Sequence, residues 1–174
     1  MIAILGATGN NGSKLATQLL DQNQKIRVMA RQQDKLASLK ALGAEVVAGD
    51  VLNPADLKKL FAGADAAFIM IPPNYAAQDF LGYMKEASEK LVTTLQESGV
   101  QYIVNLSSVG AHRDSGVGTV RGLHFHEKRM AGLKTKNVLN LRPAYFMENN
   151  MANVGLIQAQ KINGGTIKPN LKMP

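Results

Sequence analysis

The chain of 174 residues has no cysteine and no tryptophan. Without cysteine there is no disulfide, thiol nucleophile, thiolate metal ligand or thiol redox sensor. A cytoplasmic location fits such a chain. Without tryptophan no indole is present to stack on a flavin. Aromatic residues make up only 5%. Basic groups are not densely interleaved with them, which argues against nucleic acid as a partner. Acidic residues are also few, 13 against 20 Lys and Arg, for a net charge of +7. That excess reads either as a basic soluble surface or as a site for an anionic ligand. The cations are scattered in small groups such as Lys58–Lys59 and Lys134–Lys136. Long apolar runs are missing as well. Stretches such as Ala66–Ile71 are far too short to span a membrane. Residues 1–5 are apolar, but a glycine turn follows at once and no basic stretch precedes them, so they do not read as a signal peptide.

What is present begins with MIAILGATGNNG. An apolar strand runs into Gly6, Gly9 and Gly12, and a helix-forming stretch follows. This pattern holds a pyrophosphate. Gly6 lets the chain turn at the strand end, Gly9 leaves room for a phosphate, and Gly12 lets helix and strand approach closely. The free amides and the positive end of the helix then face the anion.

Short apolar segments alternate with helix-length segments along the chain. The predicted strands are Ile2–Leu5, Ile26–Ala30, Glu45–Ala48, Ala66–Ile71, Tyr102–Leu106 and Val138–Leu141. The predicted helices are Asn11–Asp21, Asp34–Leu42, Pro54–Phe61, Tyr75–Ser98, Leu123–Leu133 and Tyr145–Gln160. Such βαβ alternation implies an α/β fold with a doubly wound parallel sheet. Hydrophobic residues at 45% are enough to fill one core, so residues 1–174 read as a single domain. Gly43 stops the second helix, and Asn53 with Pro54 starts the third. In the fourth helix Phe80, Met84, Ala87, Leu91 and Leu95 share one face and read as core. Gly110–Gly122 reads as a surface loop suited to a lid.

Candidate site residues cluster at the predicted strand ends, where open α/β sheets bind ligands. Arg31 stands where NAD-preferring sites carry a carboxylate for the ribose hydroxyls. A guanidinium attracts the 2′-phosphate of NADP instead, so NADP(H) is expected in preference to NAD(H). Lys35 lies one turn further on. The alternative is that Arg31 is a solvated surface charge. Asp50, with Val51 beside it, either accepts from the adenine amino group or caps the turn before Asn53. Ile71 and Pro72 either wall the dinucleotide or simply end the strand. Of Ser107 and Ser108, one hydroxyl bonds the nicotinamide or a substrate oxygen, or both cap the strand end.

The ordered set GATGNNG, VMAR, GDVLNP, NLSSVGAH, HFHEKRMAG and LRPAYFMENN resembles the NmrA-like group of atypical short-chain dehydrogenases/reductases, over residues 1 to about 170. The resemblance implies a Rossmann-type fold binding NADP or NAD, in proteins that reduce quinones or azo dyes or act as non-enzymatic redox sensors. It places Gly6, Thr8, Gly9, Asn10, Asn11 and Gly12 at the phosphates, Arg31 at the NADP phosphate and Asp50 near adenine. Ile71, Pro72 and Ser107 flank the ribose and nicotinamide. Lys128 resembles the ribose-binding lysine and is also a catalytic candidate, placed to stabilise negative charge on a reduced acceptor, and Pro143 and Tyr145 belong to the rim over the nicotinamide.

Two departures stand out. The Tyr-x-x-x-Lys spacing is kept, but His124 takes the tyrosine position before Lys128. His124 then either protonates the substrate or is an exposed residue at a helix start. His124 and His126 lie two apart on a helix and face different ways, so no metal site is read there. The resemblance also implies a longer C-terminal half, so residues 143–174 read as the start of a truncated substrate-side region. The expected function is NADPH-dependent hydride delivery to a small electron-poor acceptor such as a quinone. The alternative is a non-catalytic NADP(H) sensor acting through a protein partner. An incomplete sheet edge suggests a homodimer contact.

Overall fold

The order of strands in the sheet is β3 (Glu45–Ala48), β2 (Ile26–Ala30), β1 (Ile2–Leu5), β4 (Ala66–Ile69), β5 (Tyr102–Leu106), β6 (Asn137–Leu141), with every neighbouring pair parallel. The chain winds outward from β1 to β3, returns to the other side of β1 and winds outward again to β6. The crevice between β1 and β4 is therefore the topological switch point. The structure is a computed structural model that describes residues 1–161. Its elements are β1 (Ile2–Leu5), α1 (Asn10–Asp21), β2 (Ile26–Ala30), α2 (Ala37–Ala41), β3 (Glu45–Ala48), α3 (Pro54–Phe61), β4 (Ala66–Ile69), α4 (Phe80–Glu97), β5 (Tyr102–Leu106), α5 (Arg121–Met130), β6 (Asn137–Leu141) and α6 (Val154–Gln160). The doubly wound α/β sheet read from the sequence is the fold observed. Among the described residues no helix is long and apolar enough to cross a membrane.

Two apolar layers cover the sheet, because alternate residues of each strand face opposite ways. Ile4, Val28 and Phe68 meet Ala16, Leu36 and Leu39 on the α1–α2 face. Leu5, Met29, Ile69 and Ile103 meet Leu57, Phe61, Leu91, Leu95 and Met130 on the other. The first layer thins toward β6, where Tyr102, Leu139 and Leu141 stay exposed. Helix starts follow local chemistry. Asn53 Oδ1 accepts the Ala55 amide at 3.0 Å ahead of α3, and Asp79 Oδ1 accepts the Gly82 amide at 2.8 Å ahead of α4. Gly43, at φ +102°, closes α2 as expected.

Several predicted boundaries shift. β4 ends at Ile69, not Ile71, because Met70 packs over Gly6 at the switch point. α4 begins at Phe80, not Tyr75. Pro72 and Pro73 keep the preceding segment extended, Asn74 Oδ1 holds a turn at the Ala76 amide, and Asp79 sets the cap. The second helix opens as a 3-10 turn over Gln33–Leu36 and is α-helical only from Ala37. α5 stops at Met130, since Gly132 favours a turn. The helix predicted over Tyr145–Gln160 breaks into an extended stretch, a 3-10 helix over Met147–Asn153 and the short α6. Asn149, Asn150 and Asn153 are weak helix formers, and Asn150 accepts a bond from the Tyr145 hydroxyl. The end of the expected substrate-side region, residues 162–174, lies outside the described residues.

Candidate dinucleotide-binding site

The glycine turn fits closely against itself. Gly6 sits at φ +87°, a conformation that L side chains rarely adopt. A Cβ on Gly12 would stand 2.2 Å from the Gly6 carbonyl oxygen, so only glycine lets α1 leave the strand at this angle. Gly9 differs: its Cβ position meets nothing nearer than the Gly6 oxygen at 3.5 Å. Its side faces open space, as a phosphate seat requires. The first turn of α1 has no acidic residue and no side-chain cap. The first amide of the turn to find a helical acceptor is that of Ser13, bonded to Gly9 at 2.9 Å. The helix geometry leaves the amides of Asn10, Asn11 and Gly12 directed at the turn. An anion there meets free donors and the positive end of a twelve-residue helix.

A cavity of about 560 Å³ runs from this turn along the carboxyl ends of β1, β2, β3 and β4. It is lined by Gly6, Thr8, Arg31, Lys35, Asp50, Val51 and Pro72 among the residues singled out from the sequence. Arg31 and Lys35 are exposed at its far end, and among the described residues neither has an ion-pair partner. Asp50 caps its turn and faces the cavity. Its Oδ1 accepts the Leu52 amide at 2.8 Å, and the residue also lines the cavity. Asp50 in turn gives its amide to Asp56 Oδ2 at 3.2 Å. That bond, helped by Lys59, holds the Asp56 carboxyl below its usual range. Gly49 is forced here, because a Cβ would stand 2.6 Å from Asp56 Cβ.

Sequence reasoning missed Tyr83. It lines the cavity, and its hydroxyl donates to the Pro72 carbonyl at 2.8 Å. Half-burial pushes its phenol up; the Asp50 charge adds to this and Arg31 opposes it. One residue before Met84 on the apolar stripe, it carried no signal beyond its polar tip.

The remaining candidates sit apart from the cavity wall. Ile71 is buried behind Pro72. Ser108 is half-buried, with its hydroxyl on the Val109 carbonyl at 3.2 Å. Pro143 accepts the Val109 amide at 2.9 Å, and the Tyr145 hydroxyl is 3.1 Å from Asn150 Oδ1. Glu148 reaches back to Lys14 on α1 at 3.5 Å, which brings this segment beside the helix that starts at the glycine turn. Lys128 is exposed on α5. Ser107 is buried and gives its hydroxyl proton to Glu127 Oε1 at 2.5 Å. Arg142 donates to the same oxygen from Nε at 2.9 Å, and from Nη2 to Oε2. Burial raises the Glu127 carboxyl, but bonds from Arg142 and Ser107 outweigh it and hold the group below the usual range. Neither Glu127 nor Arg142 was singled out as a partner from the sequence.

His124 requires a correction. It is buried, not an exposed helix-start residue, because the loop after β5 folds back over it. Its Nδ1 lies 2.9 Å from the Ala111 carbonyl oxygen. A carbonyl only accepts, so Nδ1 carries a proton and donates it there. Nε2 is buried without a partner among the described residues. His126 serves a different neighbour, Ser88 Oγ, at 2.9 Å from Nδ1.

A parallel sheet with a glycine turn at its switch point, an uncapped helix start and free cations at the far end of the crevice is a dinucleotide-binding α/β domain. Residues 6–165 match the family model described as NAD(P)H-binding, and the chain belongs to that family. Its NmrA-like resemblance is matched by the relatives. An NAD(P)H azoreductase of Xenophilus azovorans is 26% identical over 151 residues, covering 86% of this chain and 49% of the relative. An NmrA-like family domain-containing oxidoreductase of Aspergillus campestris is 36% identical over 72 residues, covering 40% of this chain and 21% of the relative. The solved triphenylmethane reductase of Citrobacter sp., complexed with NADP(H), superposes with a TM-score of 0.77 at 25% identity, covering 92% of this chain and 54% of that one. The chain thus spans about half the length, or less, of these relatives.

Proposed function

We propose that the domain binds NADPH in preference to NADH and supports hydride delivery to a small electron-poor acceptor, a quinone or an azo compound. The observation that carries the preference is Arg31 with Lys35, both unpaired by carboxylates among the described residues and both lining the cavity's far end. The residues present fit such a dinucleotide. Amides of Asn10, Asn11 and Gly12 receive the diphosphate, and Gly9 and Thr8 shape its seat. Asp50, Val51 and Pro72 enclose the adenosine end. Ile71, Ser107, Pro143 and Tyr145 form the rim at the other end, and Lys128 reaches toward the ribose. A bound reduced nicotinamide supplies the hydride. The azoreductase and the dye reductase among its relatives favour this acceptor class.

A second reading is a sensor that binds the same dinucleotide and reports to a protein partner. The setting of His124 favours it, since the ring at the position held by tyrosine in related reductases is buried, with Nδ1 bound to the Ala111 carbonyl. An electron-poor acceptor tolerates this by taking its proton from solvent. One experiment separates the two. The protein is mixed with NADPH and a panel of quinones and azo compounds, and absorbance at the reduced-nicotinamide band is followed. Repeated turnover supports the reductase. Tight binding without turnover supports the sensor, and absence of binding ends both.

A further inference from the structure

We propose that Glu127 and Arg142 are positioning residues that make Ser107 a hydrogen-bond acceptor for the carboxamide of the nicotinamide. This rests on the dinucleotide reading above. The argument begins with the carboxylate. Glu127 is 8% exposed, and both its oxygens are engaged: Oε1 by Ser107 and by Arg142 Nε, Oε2 by Arg142 Nη2. A guanidinium fork of this kind keeps a carboxylate ionised, in line with its lowered titration range. An ionised carboxylate can only accept, so the Ser107 hydrogen must point to it. What Ser107 has left is lone pairs.

The backbone fixes the same arrangement. The Ser107 amide donates to the Leu141 carbonyl at 2.7 Å, tying the end of β5 to the end of β6. Glu127 comes from α5 and Arg142 from just past β6. Three elements thus hold one hydroxyl in one orientation. Ser107 follows Asn105, whose register partner on β4 is Ile69, so Ser107 stands level with Ile71 at the carboxyl rim. A serine in this state cannot polarise a carbonyl oxygen by donating to it. It can accept from an amide NH₂, the group a nicotinamide carries. Replacing that amide by an acetyl group of the same shape removes the donor and sets a methyl group, which cannot donate, against the Ser107 oxygen.

The test uses calorimetry on the whole chain with oxidised NADP and its acetylpyridine analogue. The unmodified protein is expected to bind NADP about tenfold more tightly than the analogue, the scale of one buried hydrogen bond. Ser107→Ala should bring the two affinities within about twofold, since no lone pair remains to discriminate. Glu127→Gln should do the same or invert the preference, because its amide can donate to Ser107 and free the hydroxyl proton. A merely structural role lowers both affinities together and leaves their ratio intact. If Glu127→Gln does not fold, the ratio for Ser107→Ala decides. An unchanged ratio in the folded variants, or equal binding of both dinucleotides by the unmodified protein, overturns the assignment while leaving the cofactor reading standing. Binding of neither dinucleotide by folded, unmodified protein overturns the cofactor reading and this assignment with it.

Discussion

The Tyr83 hydroxyl donates to the Pro72 carbonyl at 2.8 Å, and so ties α4 to the segment that leaves β4. Pro72, Pro73 and Asn74 form one wall of the cavity, and Tyr83 itself adds to it. Tyr83→Phe keeps the ring and deletes this bond. The expected result is weaker NADPH binding by about fivefold, with a loss of about 1 kcal/mol in stability. Calorimetric titration and urea unfolding check the two parts.

Arg31 sits at the cavity rim without a carboxylate partner among the described residues. Arg31→Asp replaces an attraction to the extra phosphate with a repulsion. NADPH affinity should fall by about one to two orders of magnitude, the range for charge-assisted bonds, while NADH changes far less. Parallel titrations with both dinucleotides check this. Equal losses would show that the guanidinium does not choose between them.

Much of this was legible in the sequence because glycine and proline mark strand ends directly. The turn at Gly6, Gly9 and Gly12, the cap at Asn53 and the stop at Gly43 depend on neighbours within a few residues. Glu127 and Arg142 were not legible, because they stand 15 positions apart on two elements that meet only after the sheet assembles. His124 showed its helical phase but not the Ala111 carbonyl that covers it. The helix predicted over Tyr145–Gln160 failed around Asn149, Asn150 and Asn153, which are weak helix formers.

Gly12→Ala tests the close approach in the turn. The added carbon would stand 2.2 Å from the Gly6 oxygen and 2.7 Å from its carbonyl carbon, so backbone must move. A destabilisation of about 1–3 kcal/mol is expected, with loss of dinucleotide binding, as α1 shifts off the strand. Gly155→Ala on α6 is the control, since nothing lies within 4 Å of its Cβ position. Thermal and chemical unfolding of the two variants give the comparison.

His126 gives the protein an acid limit. Burial holds its imidazole down at about 4, against an ordinary 6.5; the Glu127 charge opposes this and Arg129 adds to it. Between those values the unfolded chain takes up a proton that the folded chain refuses. The stability contribution is therefore complete above pH 6.5 and is lost as pH falls toward 4, by up to about 3 kcal/mol. His126→Gln keeps a polar contact for Ser88 and does not titrate. Urea unfolding at pH 5 and pH 7.5 should show a shallower acid decline for this variant. An identical slope would assign the decline to other groups.

Among the described residues, those that line the cavity all precede position 84, whereas the Ser107–Glu127–Arg142 cluster comes from later elements. The cavity wall and the hydrogen-bonded cluster are thus written in separate, consecutive stretches of chain. Substitutions that reshape the cavity can then accumulate in the first stretch while the second is inherited unchanged.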